Sequence, residues 1–103
     1  GRKDTQVKIQ GFRIELGEIE YHVKAFYRHS CNAVVLPVYT SDGSCELHLT
    51  VERETEDTER LGQYLQSHLP PYMLPRRIHF IPCFPQNNSN KTDRKQLLKF
   101  ITQ

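Results

Sequence analysis

The segment Gly1–Glu20, GRKDTQVKIQGFRIELGEIE, carries the pattern that decides the fold. Apolar and polar side chains alternate on both sides of Gly11, which is the period of a strand with one buried face. Gly17 interrupts this alternation and is followed by carboxylates, which favour a helix N-terminus. The segment therefore predicts a β-hairpin that turns at Gly11, followed by a helix over about 18–29.

The rest of the chain continues with alternating strand and helix patterns. Pro37 lies inside a strand pattern and favours an edge position or a bulge, because it cannot donate to a sheet ladder. We expect the charged run Glu52–Arg60 to be a solvated loop, and Tyr72 and Met73 to pack in the core. The other predicted elements are strands at 33–40, 47–51 and 77–81 and helices ending at Leu69 and spanning 92–101. The order β-β-α-β-β-α-β-α predicts an α+β fold, a small sheet with an N-terminal β-hairpin and about three packed helices.

Length and charge restrict the classes of function. The 103 residues suit one small domain, and 37% hydrophobic residues allow a modest core. The formal net charge of +2, from 14 basic and 12 acidic residues, is too balanced to favour nucleic acid or a membrane surface. No apolar run approaches the roughly 20 residues of a membrane span.

The cysteines and histidines favour neither a disulfide framework nor a metal site. Cys31, Cys45 and Cys83 are odd in number and far apart, so reduced thiols and a cytoplasmic location are the expectation. His22 and His29 lie near Cys31, but their spacing matches no zinc pattern. We therefore predict no metal ligands in this chain.

Three segments together resemble a known family. GRKDTQVKIQGFRIELGEIE resembles the hinge motif that opens the C-terminal subdomain of adenylate-forming enzymes, LPPYMLP (69–75) resembles the next motif, and NKTDRKQL (90–97) resembles the terminal lysine motif. Within this family, the residues Tyr-Met-Leu-Pro and Lys-Thr-Asp-Arg of the second and third motifs are most similar to those of adenylation domains of nonribosomal peptide synthetases. Gln10 stands where arginine is common, and Asn90 stands where a glycine normally precedes the lysine. Asparagine tolerates the left-handed backbone that glycine would supply.

The resemblance implies a two-step reaction. A carboxylate attacks the α-phosphate of ATP to give an acyl-adenylate, and the acyl group then passes to a phosphopantetheine thiol. The implied partners are an N-terminal adenylation subdomain, which would bind most of the ATP and Mg²⁺, a peptidyl or aryl carrier protein, and an amino- or aryl-acid substrate. The chain begins inside a structured-looking motif, so we expect it to be part of a larger protein and inactive alone.

Lys91 is the candidate catalytic residue. Adenylation builds negative charge on phosphate oxygens while an anionic nucleophile approaches, and a long flexible cation can reach both groups. The alternative is a solvated lysine in a surface loop. The positive end of the following helix disfavours a cation there, and this favours a functional role over a structural one.

The resemblance assigns the remaining site residues to residues 1–16, the hinge and hairpin, with residues 17–103 as the body that ends in the lysine loop. Asp4 matches the hinge about which the subdomain rotates, or it is an ordinary turn residue. Arg2 resembles a nucleotide-binding arginine, or it is an exposed one. Lys8, Gln10 and Gly11 resemble the wall of the pantetheine tunnel, although Gly11 is equally well explained as a turn glycine and Lys8 as a solvated strand residue.

Two other functions stay open from the sequence. One is the lid of an acyl-coenzyme A synthetase, which differs in its acceptor and not in the first step. The other is a non-catalytic module that docks a carrier protein. The acceptor, a holo carrier protein or free coenzyme A, distinguishes the adenylation domain from the acyl-coenzyme A synthetase. An ATP-binding subdomain upstream distinguishes both enzymes from the non-catalytic module.

Overall fold

The computed structural model describes residues 6–55 and 58–102 and confirms the predicted α+β fold. A short 3₁₀ turn, Pro71–Met73, lies before the last strand. The elements are β1 (Gln6–Ile9), β2 (Phe12–Glu15), α1 (Leu16–Phe26), β3 (Ala33–Tyr39), β4 (Cys45–Val51), α2 (Glu59–His68), β5 (Arg77–Phe80) and α3 (Arg94–Thr102).

The first two strands form the predicted hairpin. Ile9 pairs with Phe12, which leaves Gln10 and Gly11 as a two-residue turn. Both turn residues have positive φ, 52° at Gln10 and 85° at Gly11, as a type I′ turn requires. This turn matches the right-handed twist of the strands and fixes their register.

Helix α1 begins at Leu16, earlier than the predicted position of about 18. The Glu15 carboxylate accepts a hydrogen bond from the Gly17 N–H at 3.2 Å and caps the helix. Gln6 Nε2 donates to the same carboxylate at 3.1 Å, so Glu15 joins the base of the hairpin to the helix start. Side-chain capping is what lets the helix follow the strand without a loop.

Helix α1 also ends earlier than predicted, at Phe26 and not at about 29. Arg28 and His29 both adopt left-handed backbone conformations, with φ of 55° and 59°. The His29 N–H donates to the Lys24 carbonyl at 2.7 Å and closes the last turn. Glycine usually marks such an ending, and its absence hid this one in the sequence.

A second sheet of order β3-β4-β5 forms the body. Strands β3 and β4 are an antiparallel hairpin, whereas β4 and β5 run parallel. Strand β3 lies at the edge of this sheet, one of the positions that Pro37 predicts. An edge strand can accommodate proline, which has no N–H to donate to a neighbouring strand. The parallel pairing requires a crossover, and α2 lies within it.

The body sheet is buried on both faces. Side chains of β3 alternate between two clusters, with Val35 in the larger and Val34 and Leu36 in the smaller. The larger cluster packs α1 and α2 against the sheet through Ile19, Val23, Leu61 and Leu65, and the smaller packs α3 through Leu97. This double burial explains the continuous apolar run at 33–36.

Two expectations about side chains need correction. Met73 is buried as predicted, but Tyr72 is 40% exposed and stacks on Phe12 with ring centroids 4.0 Å apart. Glu52 is not a solvated loop residue, since its carboxylate accepts from the Phe84 N–H at 2.7 Å. The charged run also ends early, because α2 starts at Glu59.

The cysteines and helices give two further facts. Cys45 and Cys83 are free thiols, and burial raises the pKa of Cys45 above its ordinary value. Within residues 6–55 and 58–102, no helix has the length and apolar character to cross a bilayer, and no group of three His, Cys, Asp or Glu side chains is arranged to hold a metal ion.

Three titratable side chains form a chain of contacts across β4 and β5. Nδ1 of the buried His48 lies 3.0 Å from Nε2 of His79, and Nε2 of His48 lies 3.1 Å from the Glu46 carboxylate. Burial lowers the pKa of His79, and the charges of His48 and Arg77 lower it further. The folded state therefore disfavours a proton on His79.

We predict that His79 makes the free energy of unfolding fall as the pH decreases from about 7 to about 5. The ordinary pKa of His79, 6.5, exceeds its folded-state value, so the unfolded chain binds more protons in this window. Urea unfolding at several pH values measures the slope. The His79→Gln variant should show a shallower slope and the exposed control His29→Asn an unchanged one; equal slopes in all three would contradict the prediction.

Candidate functional site

The loop that carries Lys91 is held by one asparagine side chain. Asn87 Oδ1 accepts hydrogen bonds from the N–H groups of Ser89 and Lys91, at 2.8 and 3.2 Å. The Asn87 N–H donates to the Lys91 carbonyl at 2.8 Å, and Gln86 forms an isolated antiparallel bridge with Thr92. The backbone at Lys91 is thereby fixed although its side chain is exposed.

Asn90 supplies a left-handed backbone immediately before Lys91. Its φ is 61°, and its N–H donates to the Asn87 carbonyl at 3.0 Å. The sequence-based expectation that asparagine can stand here for glycine is therefore confirmed for the backbone.

Helix α3 begins directly after the lysine loop. Asp93 Oδ1 accepts from the Gln96 N–H at 3.1 Å, as an N-cap does, and the Asp93 N–H donates to the Pro85 carbonyl at 2.8 Å. The helix thus starts at Arg94, two residues later than the predicted Thr92. Lys91 lies just outside this capped end.

Lys91 lines an open depression with residues from α1, β3 and α3. Three cationic side chains meet there, Lys24, Lys91 and Arg94, with the carboxylate of Glu20 among them. No side chain in the described part of the chain forms a hydrogen bond or ion pair with the Lys91 ammonium. The ammonium can therefore contact an anion from outside without first breaking a contact.

Glu20, one of the carboxylates that follow Gly17 and that the sequence predicts at the start of a helix, lines the same depression as Lys91. It lies in the second turn of α1, and its Oε2 accepts from the Val35 N–H at 2.9 Å. The Arg94 guanidinium lies 3.7 Å from the same oxygen. Burial raises the pKa of the Glu20 carboxyl, and the Val35 hydrogen bond and the Arg94 charge partly oppose that shift. The sequence did offer one sign of this position, because Glu20 directly follows Ile19, which belongs to the apolar stripe of α1.

The hairpin tip borders two other depressions. Lys8 and Gln10 line the first together with Tyr39 and Cys45, and Gln10 also lines the second beside Tyr72. Gly11 is exposed, and a Cβ added there would meet no atom within 4 Å. The tip therefore presents free backbone to any molecule that approaches it.

Strand β3 separates the two candidate regions. The depression at Lys91 is lined by Ala33 and Val34, where β3 begins, and that at the hairpin tip by Tyr39, where it ends. A strand of this length spans about 20 Å. The structure does not bring Lys91 together with Lys8, Gln10 and Gly11. Arg2 and Asp4, the predicted nucleotide and hinge residues, lie outside the described residues.

Curated relatives match nearly the whole chain. D-alanine–D-alanyl carrier protein ligases from Bacillus mycoides and Bacillus licheniformis are 35% and 36% identical over 99% of this chain. The chain spans 21% and 22% of their lengths, about one fifth. A scan against protein-family models found no match.

Solved structures agree with these relatives. A four-domain nonribosomal peptide synthetase, solved with AMP and glycine, matches 92% of this chain at 44% identity and a TM-score of 0.79, over 7% of its own length. The chain belongs to the C-terminal subdomains of adenylate-forming enzymes. An acyl-CoA synthetase-like protein from Dyadobacter fermentans shares the fold of this subdomain, with a TM-score of 0.84 over 99% of the chain and 31% of its own, at 22% identity.

The first motif and the terminal lysine motif both have their candidate site residues on turns. The terminal lysine motif lies on the asparagine-stabilised loop, and the hairpin of the first motif turns at Gln10 and Gly11. Gln10, which replaces a common arginine, adopts positive φ without distorting the pairing of β1 with β2. Both residues that depart from the motifs, Gln10 and Asn90, have positive φ.

We predict that position 90 of the subdomain accepts glycine but not a β-branched residue. The Asn90→Gly variant should unfold with a free energy close to that of the parent, and Asn90→Val with one lower by about 1–2 kcal/mol, because the left-handed region penalises a branched Cβ. Urea unfolding measures both. The control is Asn88→Val in the same loop, where the backbone is not left-handed. Equal losses at both positions would contradict a backbone origin.

Proposed function

We propose that this subdomain works in an enzyme that activates an amino or aryl acid with ATP and passes it to a carrier-protein phosphopantetheine thiol. One observation carries the proposal. The lysine loop and the hairpin tip lie towards opposite ends of β3, so a single orientation cannot present both to one reaction centre. Two steps at one centre then require the subdomain to rotate between them.

Lys91 serves the first step. Its ammonium, which no described side chain engages, bridges the carboxylate of the acid and the α-phosphate of ATP as they approach each other. The carboxylate oxygen bonds to phosphorus and pyrophosphate leaves, so acyl-AMP forms. The fixed backbone of the loop confines Lys91, and this reduces the entropy lost in reaching the transition state.

The hairpin tip serves the second step. The thiol sulfur attacks the acyl carbon, a thioester forms and AMP leaves. Lys8 and Gln10 line the depression beside Tyr39, and the exposed Gly11 lets the pantetheine arm lie close to the backbone. Asp4 acts as the hinge and Arg2 contacts the nucleotide, while Mg²⁺ is bound by the ATP-binding subdomain.

Sequence similarity favours a carrier protein as the acceptor. Relatives at 35% and 36% identity are named as carrier protein ligases, and the match at 44% identity is a nonribosomal peptide synthetase. The matched acyl-CoA synthetase-like protein is 22% identical, a level that supports the fold alone. Coenzyme A remains the alternative acceptor, and thioester formation with each thiol distinguishes the two.

We predict that Lys91→Ala in the full-length enzyme lowers acid-dependent ATP–pyrophosphate exchange about hundredfold or more, because charge developing on the phosphate loses its cation. A panel of amino and aryl acids identifies the substrate in the same assay. The matched control is Lys99→Ala, an exposed lysine of α3 far from the loop, which should keep full exchange.

Two outcomes would refute the proposal, the first for the role of Lys91 and the second for the assignment of the chain as a lid subdomain. One is undiminished exchange in a folded Lys91→Ala enzyme. The other is exchange by the 103-residue subdomain alone, because that would place the whole adenylation site within it.

We predict that Gly11→Asn slows thioester formation several-fold and leaves pyrophosphate exchange unchanged. Asparagine tolerates the positive φ at this position and its Cβ meets nothing in the chain, so the new side chain obstructs only an incoming ligand. Single-turnover transfer from acyl-AMP to holo carrier protein measures the effect. Unaltered transfer, or an equal loss in both half-reactions, would argue against a role of the tip in thiolation.

A further inference from the structure

The segment 81–94, which carries Lys91, forms a compact unit with internal hydrogen bonds. Asn87 bonds to Ser89 and Lys91, Gln86 bridges to Thr92, and Asp93 bonds to Pro85. These contacts set the shape of the loop but not its orientation on the body. Orientation depends on what holds the two ends.

Glu52, at the end of β4, holds the first end. Its Oε2 accepts from the Phe84 N–H at 2.7 Å, and its Oε1 accepts from Asn32 Nδ2 at 2.8 Å. Phe84 itself is 3% exposed, within the small cluster that includes Leu97. One carboxylate therefore joins β4, the start of β3 and the entry to the lysine loop.

Glu20, in α1, holds the other end. Its Oε2 accepts from Val35 at the free edge of β3 and faces the Arg94 guanidinium at 3.7 Å. Arg94 is the first residue of α3, three positions after Lys91. Glu20 and Lys91 also line the same depression. A second carboxylate thus joins α1, β3 and the exit from the loop.

We infer that Glu20 and Glu52 are positioning residues, which clamp both ends of segment 81–94 and so aim Lys91 in the adenylation step. This inference rests on the proposed role of Lys91. Neither carboxylate needs to touch the substrate. Each acts through a bond to the segment, at Phe84 or at Arg94.

Glutamine at each position tests the clamp with little change of volume. Glutamine replaces one of the two carboxylate oxygens with an NH2 donor, so in the same geometry Glu52→Gln faces either the Phe84 N–H or Asn32 Nδ2 with a donor and loses that hydrogen bond. Glu20→Gln keeps an acceptor for Val35 but loses the charge that attracts Arg94. The matched control is Glu54→Gln, which removes the same charge from an exposed neighbour.

In the full-length enzyme, each clamp variant should lower kcat for adenylation about tenfold while KM for ATP stays unchanged, because misorientation of a catalytic group costs transition-state stabilisation and not nucleotide binding. Hydrogen–deuterium exchange should rise in the peptide 85–93 and stay unchanged in α2. Glu54→Gln should behave as the parent in both measurements.

A double-mutant cycle tests the Glu20 arm. Arg94→Gln should lower kcat as Glu20→Gln does, and the double variant should lose little more, because both substitutions break the same ion pair. Additive losses would show that Glu20 and Arg94 act separately and would remove Glu20 from the proposal.

The outcomes separate this inference from the proposed function. Full activity in Lys91→Ala would refute the role of Lys91, whereas loop exchange in the clamp variants would still report whether the carboxylates hold the segment. Lost activity in Lys91→Ala with parent-like kcat in both clamp variants would overturn the clamp alone. Faster exchange throughout the protein would indicate general destabilisation and would also overturn it.

Discussion

The structure depends on burial of both faces of one three-stranded sheet. Because β3 contributes alternate side chains to two clusters, α1 and α2 must pack on one side and α3 on the other. This constraint accounts for the continuous apolar run in β3 and for the buried Thr50, whose hydroxyl donates to the Val34 carbonyl at 2.7 Å. The lysine loop and the hairpin tip both lie on the outside of this layered core.

Charged side chains connect the hairpin and the lysine loop to the core. Glu15 joins the hairpin to α1, Glu20 joins α1 to the free edge of β3 and to α3, and Glu52 joins β4 to the segment before the lysine loop. A backbone N–H buried without an acceptor is costly, so carboxylates that accept from Val35 and Phe84 stabilise the edge and the loop together. Glu20 and Glu52, which satisfy these backbone groups, are also the residues inferred above to orient Lys91.

The arrangement suits the proposed function, in which the subdomain takes part in two reactions by rotating between them. A rigid body with one functional loop near each end of a strand needs no internal rearrangement between steps. Under the proposed function, the hinge proposed at Asp4 absorbs the change of orientation, and the geometry of each loop is preserved. Preformed loops lose little entropy when they enter a reaction centre, which favours the step that each one serves.

Local sequence patterns were enough to predict the order of elements, a hairpin turn at Gly11, an edge or bulge at Pro37 and a residue that tolerates a left-handed backbone at Asn90, because each depends on local periodicity or on the φ preference of one residue. The sequence did not predict either end of α1. The capping residue, Glu15, is the last residue of a strand, and Arg28 and His29 adopt left-handed conformations without a glycine. The roles of Glu20 and Glu52 also required the tertiary structure. Their partners, Val35, Arg94 and Phe84, lie far along the chain, and only the packing of α1, β4 and α3 around the sheet brings these charges to the lysine loop.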